Sequence, residues 1–179
     1  MHYDEVLSFW FTEIKPAKWW VKDEQFDRLI EARFSALHTQ ANQGELFAWR
    51  DTAQGRLAEI IVLDQFSRNM FRDTPEAFRS DPLALVLAQE AIALGRHHEL
   101  NDMHKSFMFM PYMHSESLLI HETALALFTS IGIKENLNSE RRHQAIIAQF
   151  GRYPHRNAIL GRVSTDEELA FLAQPGSSF

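Results

Sequence analysis

The residues that could do chemistry fall in three short runs. The first is Asp64, Gln65, Arg68 and Asn69, set inside an otherwise apolar helical stretch. Leu57, Ile60 and Ile61 mark one face of that stretch, and at a period of about 3.6 residues Asp64 and Arg68 continue the same face. Val62, Leu63, Phe66 and Met70 make the opposite side apolar. A helix apolar on two sides is buried, so its charges must pair internally or line a cleft, because an unpaired buried charge is very costly. At i and i+4, Asp64 and Arg68 can pair with each other, which on a surface is worth only about 0.3–0.5 kcal/mol.

The second run, His114-Ser115-Glu116-Ser117, follows the apolar FMFMPYM. Pro111 predicts the start of a helix there, reaching about Thr129, and free N–H groups gather at such a start. Capping accounts for one serine but not for four polar residues in a row. His121 shares a stripe with His114 and Leu118 on that helix, two turns away and roughly 10 Å along the axis, too far for one metal. His121-Glu122 does not continue to the second histidine of a zinc protease motif. His121 therefore reads as a core histidine bonded to backbone.

The third run is Arg152-Tyr153-Pro154-His155-Arg156-Asn157. Gly151 ends one helix, Tyr153 before proline is biased to extended backbone, and Pro154 opens the next helical turn. His155 and Arg156 then fall in a first turn, where a cation opposes the helix dipole by about 0.3–1 kcal/mol. Arg156 there needs a carboxylate, from Asp64 or Glu116, or an anionic ligand.

If the runs meet, Arg68, Arg156 and Arg152, with Gln65, Asn69, Ser115 and Asn157, could hold a phosphate or carboxylate. The helix start at Pro154 would add backbone donors. His114 or His155, oriented by Glu116 or Asp64, would be the acid–base group. Within the motifs Arg68, Arg72, Arg152 and Arg156 outnumber Asp64 and Glu116, a local surplus that predicts a bound anion. No nucleophile–base pair, phosphate loop or metal-ligand spacing is readable, so the reaction class stays open and neither metal nor cofactor is expected. Two alternatives stand beside this: an open groove for a protein or peptide, and an ion-pair network that only sets the register of the fold. Burial separates them, since a small-molecule site encloses Arg68 and Arg156 beside His114, whereas a groove exposes them.

The elements that must position these runs are helices. Asp4 can cap a first helix ended by Pro16; Asp23 can cap a second, with Phe26, Ile30, Phe34, Leu37 and Ala41 on one face and Gly44 at its close. A third runs from about Ala53 to Phe71, and a fourth from Ser80-Asp81-Pro82 to Gly95. His97 to Asp102 reads as a connection. After the helix from Pro111, a sixth covers Asn138 to Phe150, and Thr165 with Glu168 forms a capping box for a last short helix. No strand pattern appears, so the fold class is all-α.

The 179 residues fit one domain, 1–173, with a loose tail at 174–179. Fourteen Phe and four Trp point to large interlocking core side chains. A net charge of −6 favours neither nucleic acid nor an anionic membrane. With no cysteine, disulfides and thiolate chemistry are excluded. The acidic N-terminus is unlike a secretory signal and no apolar run is long enough to span a bilayer, so a cytoplasmic location is expected. Periodicity alone leaves bundle or superhelix open, and no repeat of about 34 residues is visible.

The stretches LDQFSRNMFRDTPEAF (63–78), FMFMPYMHSES (107–117) and FGRYPHRNAILGR (150–162) carry a resemblance. Together with VLSFWF near the start and Trp19-Trp20, they resemble the bacterial family catalogued as domain of unknown function 924, in order over nearly the whole chain. The resemblance implies antiparallel helical hairpins stacked as a tetratricopeptide-like superhelix. It implies no activity and assigns no residue a role.

Overall fold

Helical spacing in the sequence becomes helix almost everywhere. The computed structural model describes residues 1–178. Among them are ten α-helices and no strand: α1 (Tyr3–Ser8), α2 (Glu24–Asn42), α3 (Ala53–Ile61), α4 (Ser67–Met70), α5 (Glu76–Arg79), α6 (Asp81–Ala93), α7 (Asp102–Met113), α8 (Leu118–Ile131), α9 (Lys134–Phe150) and α10 (Asp166–Leu172). Asp23 caps α2 by accepting from the Gln25 and Phe26 N–H groups, and Thr165 with Glu168 forms the expected box on α10. On α1 the cap is His2 rather than Asp4, which lies inside the first turn.

α3 and α4 form one rod joined by a π-helical turn, Val62–Phe66. Every residue of α3 but Gln54 is buried, as its two-sided apolar pattern requires, and its buried Glu59 is matched by a two-pronged bond from Arg50. The rod starts tightly against the preceding turn. A Cβ on Gly55 would lie 2.0 Å from the Trp49 carbonyl oxygen, so only glycine fits. Trp10, Phe34, Phe66 and Phe107 are almost wholly buried between α1, α2, the rod and α7, with Phe34 and Phe66 ring centroids 4.7 Å apart. A smaller cluster of Ile146, Ile147 and Tyr153, with Phe150 and Phe171, ties α9 to α10.

The largest departure from the sequence expectations lies at 102–131. The predicted helix from Pro111 is two helices: α7 ends at Met113, and α8 starts at Leu118. Asn101 starts α7 well upstream by accepting the His104 N–H, so what read as the end of a connection is a cap. Pro111 then sits inside α7, where it forfeits one backbone hydrogen bond; the burial of every residue from Ser106 to Met113 holds the helix together through it. His114 to Ser117 is therefore a connector between helices, and His114 and His121 do not share a helical stripe. α9 likewise starts earlier, at Lys134. Ser80 does not cap α6 with its side chain; its hydroxyl donates to Asn42 Oδ1 at 2.8 Å.

In the tail, Ser177 is buried and its hydroxyl donates to the Leu172 carbonyl at 3.0 Å. Among the described residues no helix is long and apolar enough to cross a membrane.

Candidate functional site

Asp64 lies in the π-helical turn and is 1% exposed. Such a turn widens the backbone, and π-turns recur where a side chain must be aimed at a site. Here the Leu63 and Asp64 carbonyls each accept a side-chain donor from four residues on, the Ser67 hydroxyl at 2.6 Å and Arg68 Nη1 at 2.8 Å. The Asp64 carboxylate faces three donors: His114 Nδ1 at 2.7 Å, Gln65 Nε2 at 2.6 Å and Arg68 Nη1 at 3.1 Å. Arg68 also makes a two-pronged bond to Asp81, at 2.8 and 2.9 Å. Arg156 Nη1 approaches the same Asp81 at 3.4 Å, while its Nη2 donates to the His114 carbonyl at 3.0 Å. One connected set thus joins the rod, the start of α6, the α7–α8 connector and the Tyr153–Arg156 turn. Arg156 is only 5% exposed, its guanidinium lying 4.5 Å from the Phe78 ring and 4.6 Å from Tyr153, and its Nε has no hydrogen-bond partner.

Tyr153 fixes the frame. Gly151 ends α9 in the left-handed region at φ 68°, and the Tyr153 backbone is extended before Pro154, as the sequence predicts. Glu116 accepts the Tyr153 N–H at 2.7 Å and binds the Arg162 guanidinium at 2.7 and 2.9 Å. The Tyr153 hydroxyl donates to the Met113 carbonyl at 2.5 Å. Behind it His121, fully buried, reaches the Ser115 carbonyl with Nε2 at 2.9 Å and Glu140 Oε1 with Nδ1 at 2.7 Å. A carbonyl only accepts, so Nε2 carries a proton, and Nδ1 shares another with Glu140. His121 is thus a core histidine, but its partners include a buried acid as well as backbone.

The electrostatics assign protons at the front of the site. Burial alone would raise the Asp64 carboxyl, but Arg68 and His114 beside it hold it far below the usual carboxylate range. Burial and the charge of Arg68 push the His114 imidazole down, against the pull of Asp64. At neutral pH the pair is therefore an ionised Asp64 accepting from Nδ1–H of a neutral His114, which leaves Nε2 as the ring's proton acceptor.

Two cavities meet at these residues. A cleft of about 570 Å³ is lined by Gln65, Arg68, Asn69, Arg72, His114, His155 and Arg156, with Trp19, Trp20, Val21, Lys22 and Asp73 from neighbouring loops. A second, of about 490 Å³, is lined by Pro75, Pro82, Leu85, Pro111 and Leu160 together with Ser115 and Glu116. Phe78, His114 and Arg156 line both. Among the described residues no group of three His, Cys, Asp or Glu is placed to hold a metal ion.

Residues 6–176 match the family described as a bacterial protein of unknown function (DUF924). The chain belongs to this family. It is also similar to the solved structure of a protein of unknown function from Agrobacterium tumefaciens, with 36% identity over 96% of each chain and a TM-score of 0.91. No curated protein matches the chain.

In this DUF924 chain the sequence candidates divide into three sets. Asp64, Gln65, Arg68, Asn69, His114, His155 and Arg156 gather at or directly behind the larger cleft. Ser115 and Glu116 line the second cavity, and the Glu116 carboxylate is engaged by Arg162 and Tyr153 rather than by His114. Arg152 and Asn157 lie outside both linings. Arg152 binds Glu168 at 2.6 and 2.8 Å and the Val163 carbonyl, while Asn157, fully buried, donates to Ser164 and accepts from Arg162.

Two expectations fail for physical reasons. The predicted helix start at Pro154 is one 3-10 turn, Pro154–Arg156, too short for a dipole, and the Tyr153 N–H is taken by Glu116. The Arg156 N–H is likewise taken, by the Tyr153 carbonyl at 3.1 Å, so the expected helix-start donor set does not form. The surplus of cations is likewise matched, by acids outside the three runs. Asp27 binds Arg72 at 2.5 and 2.8 Å and also accepts from Asn69, Asp81 serves Arg68 and Arg156, and Glu168 serves Arg152. Asp27 and Asp81 lie in the first turns of α2 and α6, and nothing in the local sequence shows the arginine each meets.

Proposed function

We propose that the larger cleft binds a small anionic molecule bearing a phosphate or carboxylate, with Nε2 of His114 as its proton acceptor if chemistry follows. One observation carries this. Lys22, Arg68, Arg72 and Arg156 line the cleft against the single carboxylate of Asp73, whereas Asp27, Asp64 and Asp81, which pair with the three arginines, do not line it. The acids hold the guanidinium groups in place at the cleft wall, an arrangement that lowers the ordering cost of binding. Enclosure favours a small molecule over a peptide: the side chains of Arg68 and Arg156 are 20% and 6% exposed. The Asp64–His114 pair follows the logic of a carboxylate-oriented general base.

A tetratricopeptide-like arrangement is the finer reading of the fold. It is supported by α7, α8 and α9, which follow one another through short connections and pack in succession. A protein partner would then use another face, because the arginines sit in a pocket. A cytoplasmic setting fits a metabolite ligand and a chain without cysteine.

A thermal-shift screen of phosphorylated and carboxylated metabolites tests the proposal. Wild type and an Arg68→Gln, Arg156→Gln double variant are each referred to their own ligand-free midpoint. A ligand at about 100 times its Kd stabilises wild type by about 2.7 kcal/mol, a rise of several degrees for a chain of this size. The double variant is expected to lose that rise. Equal shifts in both proteins would leave the cluster as an ion-pair network that sets the fold.

A further inference from the structure

We infer that the anion bound in this cleft carries an aromatic ring, and that Trp20 is the platform on which the ring stacks; this rests on the anion reading of the same cleft. Size is the first reason. A phosphate group occupies the space of a few waters, each about 30 Å³ in the liquid, so most of a cleft of about 570 Å³ must take another part of the ligand. Beside its polar groups the lining carries an apolar set, Trp19, Trp20, Val21, Ala77, Phe78 and Ile159.

Within that lining the two adjacent tryptophans are treated differently. Trp19 is an anchor: its Nε1 donates to the Trp10 carbonyl at 3.0 Å, and its ring meets Phe107 edge-on at 4.9 Å. Trp20 is 64% exposed although it borders the cleft. Its ring runs parallel to Phe107, with centroids 6.0 Å apart and planes within 7°, which sets the orientation of the indole without covering it. The loop that carries it is tethered at both ends, by Lys18 with Asp23 and by Lys22 with Asp73 on the α4–α5 connector. An oriented, solvent-exposed indole beside a cationic floor suits a ligand with a flat π-face at one end and negative charge at the other. An aliphatic body would gain from burial there but not from stacking.

Calorimetric titration of the full chain with phenyl phosphate, cyclohexyl phosphate and inorganic phosphate separates ring, bulk and charge. The expected result is that phenyl phosphate binds about tenfold tighter than either of the others, in line with the usual worth of one stacked base. Trp20→Ala is expected to abolish that preference while leaving inorganic phosphate affinity unchanged, and Trp20→Phe to retain most of it. Equal binding of the phenyl and cyclohexyl esters, or a ring preference that survives in Trp20→Ala, overturns the platform. Phenyl phosphate binding that requires Trp20 but is unaffected by Arg68→Gln with Arg156→Gln would uphold the platform and sink the anion reading. Failure of all three compounds to bind overturns both.

Discussion

Asp64→Ala is expected to destabilise the protein by about 3–5 kcal/mol, the usual effect of removing one member of a buried charge pair. The carboxylate is 1% exposed and serves His114, Arg68 and Gln65 together. Its loss leaves a guanidinium, an imidazole N–H and an amide facing a void. Arg68 keeps its two bonds to Asp81, which places the expectation toward the lower end of that range. For a chain of 179 residues the fall in Tm is on the order of ten degrees. Asp64→Asn keeps the volume and an acceptor for His114 and should fall between. The comparison is Glu13→Gln, which breaks a two-pronged bond from Arg33 whose side chains are 35% and 44% exposed, and which should leave the midpoint nearly unchanged. Urea unfolding of the set checks this, and an Asp64→Ala variant as mild as Glu13→Gln would show that the cluster does not hold the fold.

Acidification is the second large effect. Burial pushes His143 down to about 3 and His155 down to about 4 from an ordinary value near 6.5, and it also lowers His114 and His38. A histidine whose folded pKa lies below its unfolded value is protonated first in the unfolded chain. Its contribution is therefore intact above about pH 6.5 and is lost as pH falls toward the folded value. Between pH 7 and pH 5 this amounts to about 2 kcal/mol each for His143 and His155. Glu140, raised by burial, acts in the opposite direction. Asp64 and Glu116, held below their ordinary values, lose their contributions only at more acid pH, and so add to the same trend. Chemical denaturation across pH 5–7 should show a fall to which His143 and His155 together contribute about 4 kcal/mol, shallower by about 2 kcal/mol in His143→Gln. A flat profile would mean that these rings are charged in the folded protein.

What was legible in the sequence was burial and period, and what was not was partnership across the fold. The α2 stripe from Phe26 to Ala41 and the two-sided rod of α3 and α4 are fixed by local spacing, so they read correctly. The conflict between an apolar helix and Asp64 with Arg68 was also local, and it pointed to the site. The π-turn at Val62–Phe66 was not legible, because one extra residue in a turn leaves no mark on composition. Pro111 misled because proline favours helix starts, yet a buried helix with a good cap at Asn101 accommodates it. Arg152 and Arg156 look equivalent four residues apart. Only the docking of α10, which brings Glu168, and of α6, which brings Asp81, sends one outward and the other into the cleft. The surplus of cations failed as a signal for the same reason, since Asp27 and Asp81 are distant in sequence from the arginines they meet. What survives is the asymmetry of the arginines: Arg68, Arg72 and Arg156 line the cleft while the aspartates they pair with do not, and no local sequence signal carries it.

The most direct measurement is diffraction from crystals soaked in selenate, a phosphate-like anion whose selenium scatters anomalously. The proposal predicts an anomalous peak in the cleft within hydrogen-bond distance of the Arg68 and Arg156 guanidinium groups, with Asp64 and Asp81 still paired to them. Selenate peaks confined to other surfaces, with only water between those two arginines, would contradict it.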